Sequence, residues 1–363
     1  MNTSIKIDNM TKLAEYEKNL RKNPILRHLF FELTDACNMA CLHCGSNASP
    51  CNKTYLQYDT VNKVMESVAQ KYDPAKIMIC LTGGEPMLHP DFYKIAARAR
   101  ELGFMCGITT NGTLIDEAAA RRIVESGIQS ASISLDGTEA VHDRFRNMKG
   151  AFRKTFDGIC HLVNESRGKI NVQVTTVVNK MNVGELDDIY HTVLDTGVYS
   201  WRIANLDPIG RALSNKELML DAEDYRYLLN YIKEMRFSPD VPIEVTYGCS
   251  HYLGEKLENM TRSHYFMCGS GIFVASVMCN GDIYSCLDIE RRPELVQGNV
   301  LIDDFTDVWE NRFKQFRRDR TADCKKCSEC TDRQFCRGDS AHTWDYDRNE
   351  PLLCLKEILE TEN

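Results

Sequence analysis

Six short apolar segments recur along the first two thirds of the chain, and a segment of helical length follows each of them. These strand candidates, rich in β-branched and aromatic residues, are residues 26–33, 76–82, 103–110, 130–135, 169–178 and 200–206. Short apolar runs of this kind are typical of parallel strands that are buried on both faces. The pattern predicts a parallel α/β sheet whose strands are joined by right-handed helical crossovers.

The helical segments carry their own boundary signals. In residues 116–127 an aspartate can cap the N-terminus and a glycine stands where an αL C-cap belongs. The sixth helix ends near residue 237, where prolines interrupt the pattern. We therefore expect a partial (β/α)6 TIM-like barrel over residues 27–236, an N-terminal segment over residues 1–26 and a bridging region with a cysteine-rich domain over residues 237–363.

The composition argues against several classes of protein. No stretch approaches the roughly 18 consecutive apolar residues that a membrane span requires, and the N-terminus has no signal-peptide core. A net charge of −8 argues against binding through phosphates, so we expect neither a membrane nor a nucleic acid as partner. Sixteen cysteines without an export signal favour a cytoplasmic protein that uses thiols for metal binding or catalysis rather than disulfides.

Three of these cysteines stand close together in the loop after the first predicted strand. Cys37, Cys41 and Cys44 follow the spacing C-x3-C-x2-C at the edge of the sheet where α/β folds build their sites. Three thiolates can hold an iron–sulfur cubane and leave one iron open to another ligand. The alternative is a zinc ion with His43 as its fourth ligand, or three buried thiols.

Polar and glycine-rich turns follow the next three strands at the same predicted edge. Gly83, Gly84, Glu85 and Pro86 follow the second strand, and two glycines there allow a close backbone approach to a ligand. An ordinary strand-to-helix turn is the alternative. The sequence "TTNG" with Asn111 ends the third strand, and "SLDG" with Ser134 and Asp136 ends the fourth.

Together, the three cysteines, "GGEP" and "SLDG" resemble the radical S-adenosylmethionine (SAM) superfamily over roughly residues 27–236. The resemblance implies a [4Fe–4S] cluster on the three cysteines, whose open iron chelates SAM. It also implies reductive cleavage to a 5′-deoxyadenosyl radical that abstracts hydrogen from a substrate. The implied SAM contacts are Gly83, Gly84 and Glu85 to the methionyl amine, Ser134 with Asp136 to the ribose, and the neighbouring Pro86 and Asn111.

The C-terminal cysteines resemble the SPASM extension, which carries auxiliary iron–sulfur clusters. By that resemblance, the outer cluster has a complete set of ligands: Cys327, Cys330, Cys336 and Cys354. The inner cluster keeps Cys268 and Cys286 but has Ser340 at an expected cysteine position, so one or two auxiliary clusters are expected. Another thiol can replace the lost ligand, with Cys324 favoured over Cys279 and Cys249. Zinc at residues 324–330 is the alternative.

The resemblance extends to peptide-modifying maturases and anaerobic sulfatase-maturating enzymes. We expect modification of a peptide or protein by crosslinking, oxidation or epimerisation, with formylglycine formation or a purely electron-transferring protein as alternatives. Asp288, close to Cys286, is a candidate catalytic base, with a solvated surface carboxylate as the alternative. Expected partners are a reductant such as flavodoxin or ferredoxin and a separate leader-binding protein, because residues 1–26 are too few for a leader-binding module.

Overall fold

A computed structural model describes residues 3–248 and 251–360. The strands are β1 (His28–Glu32), β2 (Met78–Thr82), β3 (Met105–Thr110), β4 (Ser130–Ser134), β5 (Asn171–Val178), β6 (Ser200–Asn205), β7 (Glu244–Tyr247), β8 (Val274–Val277), β9 (Asp282–Tyr284), β10 (Gly298–Asn299), β11 (Trp344–Asp345) and β12 (Glu350–Pro351). The helices are α1 (Thr3–Lys22), α2 (Tyr58–Lys71), α3 (Phe92–Glu101), α4 (Glu117–Glu125), α5 (Glu139–Phe145), α6 (Ala151–Ser166), α7 (Leu186–Asp195), α8 (Ala222–Phe237), α9 (Phe305–Asn311), α10 (Lys314–Arg317), α11 (Lys325–Ser328), α12 (Arg333–Cys336) and α13 (Leu355–Glu360).

A single ten-stranded sheet organises the chain, in the order β10-β9-β8-β1-β2-β3-β4-β5-β6-β7. Strands β1 to β6 are the six predicted strands, and each pairs in parallel with the next. The expected TIM-like parallel α/β barrel is therefore confirmed. Because all six strands run in the same direction, their carboxyl ends meet at one edge of the sheet.

The sheet continues past residue 236 on both sides. Strand β7 pairs in parallel with β6, and β8 pairs in parallel with β1, so the cysteine-rich part of the chain shares the barrel sheet. Each of these two strands has only four residues, which is too short for a periodic pattern to stand out in the sequence. An ion pair also joins the barrel to the cysteine-rich part of the chain. Arg291 pairs with Glu32, which is fully buried at the end of β1.

Local signals explain why the helices begin and end where they do. The Asp116 carboxylate accepts a hydrogen bond from the Ala119 amide and caps α4, and Gly127 adopts a positive φ of 83° just after that helix. Asp221 and Asp224 form a reciprocal capping box at the start of α8. Buried apolar faces of α2, α3, α4 and α6 then pack on the sheet and form the core.

Helix α1 packs against the C-terminal part of the chain. Its Arg21 donates to the carbonyl oxygens of Phe316 and Arg318 at 3.2 and 3.0 Å, and the Lys6 ammonium donates to the Lys256 carbonyl at 3.1 Å. The N-terminal segment is thus part of the folded body.

None of the described helices is both long and apolar enough to span a membrane.

Candidate active site

The three clustered cysteines line a cavity at the carboxyl edge of the barrel strands. Cys37 and Cys41 are buried and Cys44 is half-buried in the loop between β1 and α2. The cavity has a volume of about 180 Å³. Its walls also contain residues from the turns after β2, β3 and β4 and two arginines from later in the chain: Gly83, Gly84, Asn111, Ser134, Arg146 and Arg211. The structure thus brings together most of the residues expected around the cofactor.

The thiols in this cavity are in an environment that disfavours negative charge. Burial raises the pKa of Cys37 to about 12 and also raises the pKa of Cys41, although Arg146 works against the latter shift. A metal ligand must be a thiolate, and three buried thiolates repel one another. Their ionisation together therefore requires compensating positive charge, which a bound iron centre supplies.

The Gly83–Gly84 turn lies directly against the cysteine loop. The amide of Gly84 donates to the Thr34 carbonyl at 2.7 Å, and the amide of Glu85 donates to the Ala36 carbonyl at 2.9 Å. A Cβ at Gly84 would lie 2.2 Å from the Ala36 oxygen, and one at Gly83 would lie 2.5 Å from the Thr34 oxygen. These glycines are therefore required first for packing between two backbone segments.

The Glu85 carboxylate is fully buried and holds the neighbouring turn. It accepts hydrogen bonds from the Thr110 hydroxyl at 2.8 Å and from the amides of Asn111 at 2.9 Å and Met87 at 3.1 Å. Burial raises the pKa of Glu85 to about 6 despite these bonds. The Glu85 side chain is thus occupied by hydrogen bonds within the protein, and its contact with the methionyl amine stays a prediction. Pro86 is buried at the start of the following turn.

Asn111 connects the turn after β3 to the cysteine loop. Its side-chain nitrogen Nδ2 donates to the Asn38 side chain at 2.8 Å and lies 3.9 Å from the Cys37 sulfur. Its oxygen accepts from the Thr113 hydroxyl at 2.6 Å. Asn111 therefore orients the loop that carries Cys37 and also faces the cavity.

Ser134 and Asp136, both expected near the ribose, have different surroundings in the structure. Ser134 lines the cavity, whereas Asp136 is fully buried, forms an ion pair with Arg146 at 2.5 Å and accepts from the Val177 amide at 2.8 Å. Arg146 in turn approaches the Cys41 sulfur at 3.9 Å. The Asp136 carboxylate thus places a positive charge beside Cys41, and its contact with a ribose stays a prediction.

Two arginines at the site, Arg146 and Arg211, were not found from the sequence, which considered His43 only as a zinc ligand. Arg211 donates to the carbonyl oxygens of Cys41 at 2.7 Å and Ala48 at 2.9 Å, and its buried Nη2 has no hydrogen-bond partner among the described residues. His43 stacks on Phe145 with ring centroids 4.0 Å apart. Arginine positions far along the chain carry no local motif, so only the fold reveals them.

The C-terminal cysteines fall into two groups. In the outer group, the Cys324 sulfur accepts a hydrogen bond from the Cys327 amide at 3.4 Å. Burial raises the pKa of Cys327 to about 12, and the neighbouring Cys324, Cys354 and Cys330 add to this shift. Cys336 and Cys354 also interact electrostatically. These contacts place Cys324 with the outer group, and its expected role as an inner-cluster ligand stays a prediction.

The inner pair, Cys268 and Cys286, is surrounded by other side chains. The buried Arg320 guanidinium interacts electrostatically with Cys268, and the His342 imidazole interacts in the same way with Cys286. Ser340 is buried. The next residue, Ala341, donates its backbone amide to the Cys268 sulfur at 3.4 Å.

Two other thiols, Cys279 and Cys249, were considered as substitutes for the lost ligand. Cys279 hydrogen-bonds Glu32 and is thereby held at the end of β1. Cys249 lies outside the described residues.

A chain of buried acid and base groups runs from this inner pair to the loop beside Cys336. The His342 Nε2 lies 3.1 Å from the Asp207 carboxylate, whose other oxygen lies 2.7 Å from His251 Nε2. The Nδ1 of His251 lies 2.6 Å from Asp339. Burial alone would lower the pKa of His251, but the carboxylates of Asp339 and Asp207 outweigh it and raise that pKa to about 9. Asp288, by contrast, is exposed beside Cys286, as a solvated carboxylate would be.

Replacing Gly84 by alanine should destabilise the protein because the new Cβ overlaps the Ala36 backbone. We expect a loss of more than about 2 kcal/mol in the free energy of unfolding, measured by denaturant titration of the metal-free protein. Gly184→Ala is the matched control, since nothing lies within 4 Å of the added Cβ there. Equal stability of the two variants would show that the turn does not require glycine at position 84.

His251 should make the stability of the protein depend on pH. Its folded pKa of about 9 exceeds the unfolded value of 6.5, so its stabilising contribution is fully present below pH 6.5 and is lost as pH rises through 9. Between pH 6.5 and 9 the free energy of unfolding should fall by on the order of 3 kcal/mol. His251→Gln should remove this part of the decline and the exposed His191→Gln should keep it. Parallel curves for both variants would contradict the assignment.

The sequence is similar to two families of known domains. The profile described as the Radical SAM superfamily matches residues 31–193, and the profile described as an iron-sulfur cluster-binding domain, SPASM, matches residues 268–331. The AdoMet-dependent heme synthase of Oleidesulfovibrio alaskensis is 30% identical over 334 residues, which cover 87% of this chain and 83% of that protein. The mycofactocin maturase MftC of Mycobacterium ulcerans is 29% identical over 319 residues, which cover 85% of this chain and 81% of that protein.

A solved structure shares the fold at low sequence identity. The crystal structure of Streptococcus suis SuiB bound to its precursor peptide SuiA superposes with a TM-score of 0.69 at 16% identity and covers 87% of this chain and 72% of that one. The matched profiles imply a [4Fe–4S] cluster with SAM in the barrel and auxiliary iron–sulfur clusters in the C-terminal domain. This chain belongs to the radical SAM superfamily and carries a C-terminal SPASM domain.

Proposed function

We propose that the protein is a radical SAM enzyme that modifies a side chain or backbone carbon of a peptide or protein substrate. The observation that carries the proposal is the convergence of Cys37, Cys41 and Cys44 with the Gly83–Gly84 turn and Ser134 in one cavity. A protein that only transfers electrons has no need of such a ligand-lined rim beside its cluster. We therefore set the electron-transfer alternative aside.

The residues around the cavity fit a cluster that binds SAM. With its cluster and SAM bound, the site supplies a 5′-deoxyadenosyl radical after one-electron reduction. Arg146 holds a positive charge near the Cys41 sulfur and so offsets the negative charge of a thiolate-bound cluster. The unpaired Nη2 of Arg211 is a buried donor on the cavity wall and is suited to the carboxylate of the methionyl group. Backbone groups of Gly83 and Gly84 and the Ser134 hydroxyl complete the polar contacts.

For the auxiliary clusters, the outer cysteines fit a cubane and the inner pair does not. Cys327, Cys330, Cys336 and Cys354 supply the four thiolates that a cubane normally takes. Cys268 and Cys286 supply only two, and the partners of those two thiols are a guanidinium and an imidazole. We propose that this protein has a single auxiliary cluster, held by the outer group.

Iron counts on cysteine variants test this ligand assignment. The reconstituted protein should contain about eight irons, corresponding to two cubanes. Cys268→Ala with Cys286→Ala should leave that number unchanged, whereas Cys327→Ala with Cys330→Ala should remove about four irons. Iron and sulfide analysis with Mössbauer spectra gives the readout. About twelve irons in the wild type, or a loss of iron in the first variant, would restore the inner cluster.

The substrate class is supported by the relatives and by the fold. MftC is a maturase, and SuiB was crystallised with a precursor peptide. Heme synthesis is a second candidate, because the heme synthase of Oleidesulfovibrio alaskensis matches over 87% of this chain. The sulfatase-maturating alternative uses the same radical step as a peptide maturase. It differs in its product, because it would oxidise one residue of a sulfatase to formylglycine. In each case we expect a flavodoxin or ferredoxin as reductant.

Hydrogen transfer from labelled substrates separates these candidates. The anaerobically reconstituted protein, reduced with dithionite, should form 5′-deoxyadenosine from SAM, and the Cys37, Cys41 and Cys44 to alanine triple variant should form none. A deuterated peptide substrate should pass deuterium to 5′-deoxyadenosine, as read by mass spectrometry. Deuterium transfer from a tetrapyrrole carboxylate instead would select heme synthesis, and turnover in the triple variant would refute the radical SAM site.

A further inference from the structure

A second and larger cavity lies between α1 and the loop that carries the outer cysteines. Its volume is about 550 Å³, within the range of functional pockets. Six of its lining residues are basic: Lys18, Arg21, Lys22, Arg317, Arg333 and Arg337. Asp319 is the acidic residue among those lining it. A protein with a net charge of −8 thus concentrates positive charge at one place on its surface.

The arginines of this cavity are fixed by contacts with their own chain. Arg21 pairs with Glu17 at 2.6 Å, and Arg333 pairs with Asp319 at 2.9 Å. Arg317 donates to the carbonyl of Gly271 at 2.8 Å and to other backbone oxygens, which carry no net charge. The two carboxylates therefore offset only part of the charge of six cations, and the guanidinium groups are held in place before any ligand arrives.

Burial also withdraws one of these guanidinium groups from water. It lowers the pKa of Arg317 to about 10, although Tyr72 and Glu310 work against this shift. An anion placed in the cavity would favour the charged form of this guanidinium. Lys18 and Lys22 are exposed at the rim and are suited to long-range attraction of an acidic partner.

The position of the cavity limits what such a partner would do. Thr331, Arg333 and Gln334 line it and lie between Cys330 and Cys336 in the chain, and Arg337 follows directly. A partner docked here would therefore contact the loop that holds the outer cysteines. The barrel cavity, where the substrate is modified, shares none of these lining residues.

We propose that this basic cavity is the docking site of an acidic one-electron carrier protein of the flavodoxin or ferredoxin class. The reduced carrier gives up one electron at this surface and is oxidised by one electron, and the iron–sulfur centre bound by the outer cysteines takes that electron up. The inference rests on the proposed function only for the presence of that centre. Charge complementarity at the rim sets the rate and register of docking, as in other electrostatically guided complexes.

Charge reversal at the two rim lysines tests the docking site. The double variant Lys18→Glu with Lys22→Glu should weaken the binding of an acidic flavodoxin by about tenfold or more, measured by calorimetry at low salt. Lys18→Gln with Lys22→Gln should give a smaller loss. The control, Lys63→Glu with Lys154→Glu, makes the same change of charge at exposed positions of α2 and α6 and should bind as the wild type does. Thermal unfolding verifies that each variant is folded.

Turnover with two reductants separates this inference from the proposed function. With reduced flavodoxin, the rim variant should need about tenfold more carrier for half-maximal reduction of the iron–sulfur centre bound by the outer cysteines, read by electron paramagnetic resonance. With dithionite, its rate of 5′-deoxyadenosine formation should equal that of the wild type. Equal flavodoxin binding by the rim and control variants would overturn the docking site. So would a rim variant that loses affinity for the substrate peptide while keeping affinity for flavodoxin. Absence of turnover with dithionite in the wild type would instead refute the radical SAM function, whatever the binding data show.

Discussion

The active site depends on the direct contact between two backbone segments, the cysteine loop after β1 and the glycine turn after β2. Two amide-to-carbonyl hydrogen bonds, at 2.7 and 2.9 Å, join them at a separation that leaves no room for a Cβ. Next to this contact, the Glu85 carboxylate accepts a hydrogen bond from the turn after β3 and fixes it. From that turn, the Asn111 side chain donates to Asn38 in the cysteine loop. The position of the three thiols therefore follows from how closely the two segments pack.

Charge is distributed around this site by residues that come from later elements. Asp136 is buried just after β4 and holds Arg146 beside Cys41, so this carboxylate decides where the cation lies. Arg211, in the segment after β6, holds the loop from the other side through two carbonyl oxygens. Both cations stand where a thiolate-bound cluster and an anionic ligand need compensation.

Local signals made the barrel predictable, whereas long-range contacts did not leave a trace in the sequence. The six strands and the caps at Asp116 and Gly127 depend on neighbouring residues, and the structure contains them. The cysteine, glycine and serine positions were readable for the same reason. Arg146 and Arg211 act on Cys41 across 105 and 170 residues, and no spacing rule connects them. The sequence singled out Glu85 and Asp136 as candidate site residues. Whether their side chains face the cavity depends on packing, which the sequence alone does not reveal.

The attachment of α1 has a consequence for the synthesis of the protein. Arg21 finds its carbonyl partner at Phe316, 295 residues further along the chain. At translation rates of roughly 5 to 20 residues per second, helix α1 waits about 15 to 60 seconds for that partner to emerge. During this interval the barrel can fold, but α1 cannot take its final place. The basic cavity is therefore one of the last features to form, and it exists only in chains whose synthesis has passed both of its walls.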